Sequence, residues 1–321
     1  MLKTQLLTIA LLWAVPNLYV HSQTYSYRFI DNKQVAEVPM KLINSLPVIE
    51  VTINKKKKLN FILDTGMRTT IVFSKRYMKG LDYKPGREIE FAGVGNGGLV
   101  RGRIASDITI NIGNIEGDGL SLLILGENQG IKKSFKNLGI HGIIGYELFA
   151  RFVVEIDYYN KMISFCEHGY FDFEDVYEQM PLLIQDTKPH IYAALKLDGK
   201  DKDCVRLMLD TGSSTTMLLG GHHKSEEHLA KNKTVAVGLS GKISGSIVNL
   251  EEFEIKSFKM KNIPALMVSS SDFMENNRAN ERIGSLGGGM FLAYAIVFDY
   301  ARSHFYIKRQ HPSTNRVVVS L

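Results

Sequence analysis

Apolar and polar residues alternate in two stretches of the chain, and both stretches end in the same four residues. The first stretch runs from 46 to 66 and the second from 190 to 212. Each holds two apolar runs separated by a charged turn, a pattern that predicts strand, turn, strand. The second run of each stretch ends in Leu-Asp-Thr-Gly, at 63–66 and 209–212. The two copies lie nearly half a chain length apart, which indicates an internal duplication.

A glycine-rich segment follows the first copy, and it comprises Gly93, Val94, Gly95, Asn96, Gly97 and Gly98. Its spacing matches a dinucleotide-binding fingerprint, which requires a helix to start at the third glycine. The residues at 105–112 instead alternate like a strand, and Asn96-Gly97 is a type I′ turn signal. We therefore predict a glycine-rich hairpin and no nucleotide site. A second glycine-containing segment, 237–242, lies at a similar distance from the second copy.

The two halves also end alike, at 142–158 and 284–300. Each segment predicts a buried strand, a glycine, a short helix and a closing strand. The same elements thus recur in the same order. We predict two lobes of one architecture, residues 23–167 and 189–321, joined by a linker at 168–188.

The first 22 residues have the pattern of a secretory signal peptide, with an apolar stretch at 6–15 and a small-residue exit before Gln23. About ten apolar residues are too few to span a bilayer. We expect export to the periplasm, the cell surface or the medium, with no membrane span. Residues 25–45 fit either an edge strand of the mature protein or a removable pro-segment.

Composition excludes few classes of function, because 45% apolar and 22% charged residues are typical of a globular protein. The net charge is +6, but the dense basic run Lys55–Lys58 falls at a predicted hairpin tip. We interpret it as a solvated turn and expect no nucleic-acid partner.

Two further sets of residues bear on chemistry. Cys166 and Cys204 are the only cysteines, and either a disulfide or two thiols is compatible with the sequence. His222, His223 and His228 lack the spacing of a zinc motif. We expect no metal and no cofactor.

The duplicated motif supplies a specific chemistry. An Asp at the end of a buried strand ionises with difficulty, and two such residues placed face to face share one proton. The ionised member takes a proton from water, while the protonated member donates to the carbonyl under attack. Asp64 and Asp210 are therefore the predicted pair, covering base and acid in amide hydrolysis without a metal or a covalent intermediate.

On these motifs the chain resembles the aspartic peptidases of the pepsin/retropepsin superfamily, in the single-chain form with two short lobes found in bacteria. The resemblance covers residues 40–310 and includes a second motif, hydrophobic-hydrophobic-Gly, at 143–145 and less cleanly at 285–287. Met67 and Ser285 depart from the family pattern, which has a small residue at the first position and an apolar one at the second.

The resemblance implies a mostly β fold with two pseudo-symmetric β-barrel lobes and an active-site cleft between them. It implies Asp64 and Asp210 as the catalytic pair, a flap formed by residues 93–98, and supporting residues Thr65, Gly66, Thr211 and Gly212. The two threonines are expected to hold each other across the lobe junction.

We expect an exported aspartic endopeptidase that cleaves extended peptide or protein substrates. Since both Asp-Thr-Gly copies lie on one chain, we expect a monomer. The alternative is a catalytically silent protein of the same fold that binds extended peptides. A glycan-binding module would need an exposed aromatic platform, which the 14 scattered tyrosines do not provide.

Overall fold

The computed structural model describes residues 27–92, 99–126, 135–173, 176–196, 203–220, 234–238, 241–268 and 282–310. The predicted signal peptide, the glycine segment at 93–98 and the three histidines considered above lie outside the described residues. Within these ranges, no helix has the length and apolar character needed to cross a membrane.

Strands dominate the described residues. In chain order they are β1 (Arg28–Phe29), β2 (Val35–Pro39), β3 (Lys41–Ile43), β4 (Leu46–Ile53), β5 (Lys57–Leu63), β6 (Ile71–Val72), β7 (Lys84–Ala92), β8 (Leu99–Ile112), β9 (Ile115–Leu125), β10 (Gly142–Ile144), β11 (Val153–Asp157), β12 (Met162–Cys166), β13 (Glu178–Pro181), β14 (Leu183–Gln185), β15 (Lys188–Lys196), β16 (Asp203–Asp210), β17 (Met217–Gly220), β18 (Thr234–Gly238), β19 (Gly241–Ile255), β20 (Phe258–Val268), β21 (Arg282–Gly287), β22 (Tyr294–Asp299) and β23 (His304–Arg309). The helix α1 (Tyr146–Arg151) and the 3-10 helices Lys75–Met78 and Gly288–Met290 lie between them.

Six strands of the first half close into a barrel, in the order β4-β5-β10-β6-β9-β8 with β8 paired back to β4. The pairs β5–β10 and β6–β9 are parallel, and the others are antiparallel. The barrel forms because alternate residues along each strand are apolar and point inward. Ile49 and Val51 of β4 and Phe61 and Leu63 of β5 are buried in this way.

The second half repeats this ring as β15-β16-β21-β17-β20-β19, with β19 paired back to β15. The pairs β16–β21 and β17–β20 are again the parallel ones. Ile191 and Leu207 occupy the interior positions. Because strand order and direction match throughout, the predicted mostly β fold with two pseudo-symmetric barrel lobes is confirmed.

A third sheet joins the halves, in the order β13-β23-β22-β11-β12-β2. Its central pair, β11–β22, brings together the closing strands of the two lobes. Strand β13 pairs with β23, and β14 pairs with β15. Both β13 and β14 lie in the segment 168–188, for which the sequence predicts a linker. The shared sheet fixes one lobe against the other, so the two Asp-Thr-Gly turns face each other in a defined position.

The glycine-rich segments connect antiparallel strand pairs. The pairing of β7 with β8 ends at Ala92 and Leu99, and the pairing of β18 with β19 ends at Gly238 and Gly241. Since β8 continues as a strand after the third glycine, no helix N-terminus is available there for a dinucleotide. The predicted flap residues 93–98 themselves lie outside the described residues.

The cysteines do not form the disulfide that the sequence left open. Cys166 is a buried thiol in β12, and Cys204 is an exposed thiol in β16. Burial raises the pKa of the Cys166 thiol to about 12, so this residue is neutral at physiological pH.

Candidate active site

The first Asp-Thr-Gly turn starts where β5 ends. The backbone N–H of Asp64 donates to the carbonyl of Ile144 at 2.8 Å, which continues the parallel pairing of β5 with β10. The Asp64 side chain folds back over its own turn, where Oδ1 accepts the N–H of Gly66 at 2.7 Å. Asp64 is only 7% exposed. The turn therefore holds a carboxyl group at the edge of a buried sheet.

The second turn repeats this geometry from the other lobe. Asp210 is the last residue of β16 and pairs with Gly287 in β21. The N–H of Ser213 donates to the Asp210 carbonyl at 3.1 Å, and the N–H of Gly288 donates to the Ser213 carbonyl at 2.8 Å. In the first lobe, the N–H of Tyr146 donates in the same manner to the carbonyl of Met67 at 3.0 Å.

Two fully buried threonines lock the turns together. The Thr65 hydroxyl donates to the Leu209 carbonyl at 2.7 Å and accepts the N–H of Thr211 at 3.0 Å. The Thr211 hydroxyl donates to the Leu63 carbonyl at 2.8 Å and accepts the N–H of Thr65 at 3.0 Å. These four bonds cross the lobe junction and satisfy buried polar groups that water cannot reach. They fix the separation of the two carboxylates.

The glycines of the motif are needed because the carboxylates lie against them. A Cβ on Gly212 would lie 2.1 Å from the Asp64 Cγ, closer than any real contact. A Cβ on Gly66 would lie 3.1 Å from the Asp64 Oδ1 and 3.2 Å from the Asp210 Oδ1. Both carboxylates therefore reach the same small space beside Gly66.

This arrangement perturbs the acidity of the pair. Burial, and then the neighbouring Asp210 carboxylate, raise the pKa of Asp64 to about 8. Hydrogen bonds from the backbone of Gly66 and Gly212 and the charge of Lys188 oppose this rise. A carboxyl group that stays protonated beside a second carboxylate is the condition for shared acid–base chemistry.

Comparison with known proteins agrees with this geometry. The family described as "Aspartyl protease" matches residues 193–288, which include the second Asp-Thr-Gly. The aspartic proteinase from Irpex lacteus has a similar structure, with a TM-score of 0.58 over 86% of this chain and 97% of that chain, at 10% sequence identity. The chain therefore has the fold of an aspartic proteinase, and part of its second half matches the aspartyl protease family. No curated protein sequence matches it.

Within this aspartic-peptidase fold, the residues singled out by the sequence come together around one point. They are Asp64, Thr65, Gly66, Asp210, Thr211 and Gly212. Ser285, the departure from the family pattern, is buried in β21 opposite Met208. Met67 packs against the apolar cluster on the outside of the first barrel.

Two tyrosines that were not predicted as site residues stand directly after the closing strands. Tyr158 follows β11 and Tyr300 follows β22, and both hydroxyl groups are buried without a hydrogen-bond partner in the part of the chain that the structure describes. Burial and then the charges of Asp210 and Asp64 raise the pKa of Tyr158; for Tyr300 the causes are burial, Asp64 and Tyr146. The Asp-Tyr pairs at 157–158 and 299–300 are the sequence signal for them. These rings place neutral groups near the dyad.

Lys188, the first residue of β15, is a second feature of the site that the sequence pattern does not indicate. Its charge acts on Asp64 although the two residues are far apart in sequence. The positive charge of Lys188 lowers the pKa of Asp64, against the effect of burial. Nothing in the residues around 188 signals this, because the proximity depends on the pairing of β14 with β15 and on the docking of the lobes.

Proposed function

We propose that the chain is an exported aspartic endopeptidase that hydrolyses peptide bonds with a water molecule held between Asp64 and Asp210. The observation that supports this best is the convergence of the Asp64 and Asp210 carboxylates beside Gly66, at a junction held by the hydrogen bonds of Thr65 and Thr211. A fold that only bound peptides would not require two buried carboxylates at one point.

The proposed reaction uses both protonation states of the dyad. We assign the shared proton to Asp64, because burial raises the pKa of this carboxyl group, and Asp210 is then the ionised partner that removes a proton from the water. The water oxygen attacks the peptide carbonyl carbon while Asp64 passes its proton to the carbonyl oxygen. The diol then collapses: a proton passes to the amide nitrogen, the C–N bond breaks, and an acid and an amine leave. The dyad again holds one proton.

The proposed substrate is an extended peptide or protein segment that lies across the lobe junction. Extended chains bind by pairing their backbone with strand edges, while side-chain pockets give specificity. The β7–β8 and β18–β19 hairpins follow the two Asp-Thr-Gly turns and are the candidates for such edges. Because the chain carries both turns, the proposed active form is a monomer.

Export is the part of the proposal that rests on the first 22 residues. The apolar stretch at 6–15 and the small-residue exit before Gln23 support cleavage at that point. N-terminal sequencing of the protein recovered outside the cytoplasm is expected to start at Gln23. A chain that retains Met1 in every fraction would contradict the proposed export.

The test of the activity is cleavage of a diverse peptide pool between pH 3 and pH 8. The parent chain is expected to cut, and Asp64→Asn and Asp210→Asn are expected to abolish cutting. Asp82→Asn, which removes an exposed carboxylate paired with Lys56, is the matched control and should cut like the parent. Circular dichroism would verify that all four proteins are folded.

A folded parent that cuts nothing at any pH would reject the peptidase proposal and favour the silent peptide-binding alternative. Cutting that persists in Asp210→Asn would reject the dyad mechanism.

A further inference from the structure

The face of β15 and β16 that points away from the barrel interior carries several polar side chains, some of them buried, and it adjoins the dyad. Side chains on this face alternate with the buried interior residues, so Lys188, His190 and Tyr192 of β15 share it. His190 pairs with Met208, and Tyr192 pairs with Arg206, so Arg206 and Met208 point the same way. Met208 reaches the dyad, because its Cε would lie 3.4 Å from a Cβ on Gly66.

Arg206 is a buried cation without a counter-charge among the described residues. It is 8% exposed, and its Nη1 donates to the Gln185 Oε1 at 3.0 Å. Its Nε and Nη2 groups are buried and have no hydrogen-bond partner within the described ranges. Burying an unpaired charge costs several kcal/mol. A guanidinium group can bind a carboxylate in a bidentate manner through two neighbouring N–H donors, and Nε and Nη2 form such a pair.

Lys188 connects Arg206 to the dyad. Gln185, which holds Arg206, is the cross-strand partner of Lys188 in the β14–β15 hairpin, and the charge of Lys188 is felt at Asp64. The neighbouring His190 is 2% exposed, with Nδ1 3.1 Å from the Lys188 carbonyl. The two cations therefore lie along one face that starts at the cleft and runs down the second lobe.

The same face of the first lobe shows that the fold does not require this polarity. Leu46 and Val48 occupy the positions of Lys188 and His190, because Val48 pairs with Ile62 as His190 pairs with Met208. Both are buried in an apolar cluster. Asn60 occupies the position of Arg206, and its side chain donates to the Gly139 carbonyl at 3.0 Å.

We propose that this face of β15 and β16 is a subsite for a carboxylate group of the substrate, bound by Arg206 and Lys188. The inference rests on the proposed peptidase function and adds a substrate class: peptides with an acidic group near the scissile bond. Arg206 stands four residues before Asp210, about 13 Å along the strand. An extended peptide advances by a similar rise, so the carboxylate belongs within about four residues of the bond that is cut.

The carboxylate has two possible sources, an Asp or Glu side chain or the free C-terminus of the peptide. Peptides with one cleavable bond would carry Glu or, in a matched twin, Gln at each of the four positions on either side. A second series would end in a free acid or an amide. One position or one terminus is expected to give a preference for the acid of about tenfold to a hundredfold in kcat/KM, the range of a charge-assisted hydrogen bond.

Substitutions of Arg206 and Lys188 test whether these residues cause the preference for the acid peptide. Arg206→Gln should reduce the ratio of kcat/KM for the acid peptide to kcat/KM for its Gln twin to below about threefold, because the variant removes the charge that the carboxylate would contact. Lys188→Leu, which copies Leu46, should reduce it in part, and Arg206→Lys should retain part of it. Lys58→Gln, an exposed lysine paired with Glu50 at the other hairpin tip, is the matched control and should keep the full preference.

Binding of the same peptide pairs to Asp210→Asn separates this inference from the proposed function. An acid preference in binding that Arg206→Gln removes supports the subsite even if the parent cuts nothing. Equal binding and equal kcat/KM for every acid and neutral pair would overturn the subsite, and cleavage by the parent would still support the peptidase proposal. A preference that survives Arg206→Gln would overturn the assignment to Arg206.

Discussion

The outward faces of the two barrels can be compared position by position. In the first lobe, Ile62 and Ile143 pack with Leu46 in an apolar cluster on the outside of the barrel. In the second lobe the corresponding residues of β16 and β21 are Met208 and Ser285, and the residue in the place of Leu46 is a lysine. The barrel interiors show no such difference: Ile49 and Ile191, or Phe61 and Leu207, are buried apolar pairs.

The difference shows which parts of the repeat are constrained by the fold. An interior residue must fill space at the density of a crystal, so both copies stay apolar. The Asp-Thr-Gly turn must present a carboxylate and a threonine to its counterpart, so both copies stay identical. An outward face beside a cleft only has to be compatible with what it covers or binds. This face can therefore acquire specificity in one lobe without disturbing the other.

The largest effect on kcat/KM is expected from substitutions of Gly66 and Gly212. The two turns have the same sequence, but the space available for a Cβ atom differs between them. In Gly212→Ala the new Cβ would lie 2.1 Å from the Asp64 Cγ, so the carboxyl group must move. We expect kcat/KM to fall by about a hundredfold or more. In Gly66→Ala the contacts are 3.1 and 3.2 Å, and a loss below about tenfold is expected.

Steady-state kinetics of the two variants with one peptide would measure this asymmetry. Gly126→Ala is the control, because its nearest contact would be an ordinary 3.5 Å to the Arg101 carbonyl. Equal losses in Gly212→Ala and Gly66→Ala would mean that the carboxylates are placed symmetrically, contrary to the structure.

A smaller effect is expected on the free energy of unfolding, because the outward faces of the two barrels are packed differently. Ile143→Ala removes three buried carbon atoms from the apolar cluster and should lower the free energy of unfolding by about 2–4 kcal/mol. Ser285→Ala, at the matching position, should change it by less than about 1 kcal/mol. Urea unfolding at one pH would compare the two. A Ser285→Ala loss as large as that of Ile143→Ala would show that the second face is packed as tightly as the first.

Most of the architecture was predictable from local patterns. Short apolar runs before Asp64 and Asp210 predict the strands, and Gly145 and Gly287 mark the start of the short helices that follow. Other features could not be predicted from local sequence, because they depend on which strands pair and in what register. Strand β13 has no clear alternation and forms only by pairing with β23. The proximity of Arg206 to Gln185 likewise follows from the order of three strands, which local sequence does not encode.

The pH dependence of stability tests which lobe holds the proton. The pKa of Asp64 is raised from 3.8 to about 8, so between these pH values the folded protein binds more protons than the unfolded chain. The contribution of Asp64 to the free energy of unfolding therefore falls as pH rises through this window, by up to about 1.4 kcal/mol per pH unit. Asp64→Asn cannot titrate, so its stability should exceed that of the parent by more at pH 8 than at pH 5.

Urea unfolding between pH 4 and pH 9 would measure the slope, with Asp82→Asn as the exposed control. Asp210→Asn separates the two causes of the raised pKa, because it removes the neighbouring charge and leaves the burial of Asp64 intact. Since burial is the larger cause, this variant should retain most of the slope, whereas Asp64→Asn should lose it. Parallel slopes in the parent and Asp64→Asn would place the proton on the second lobe. In that case Asp64 would be the base in the proposed reaction and Asp210 the acid.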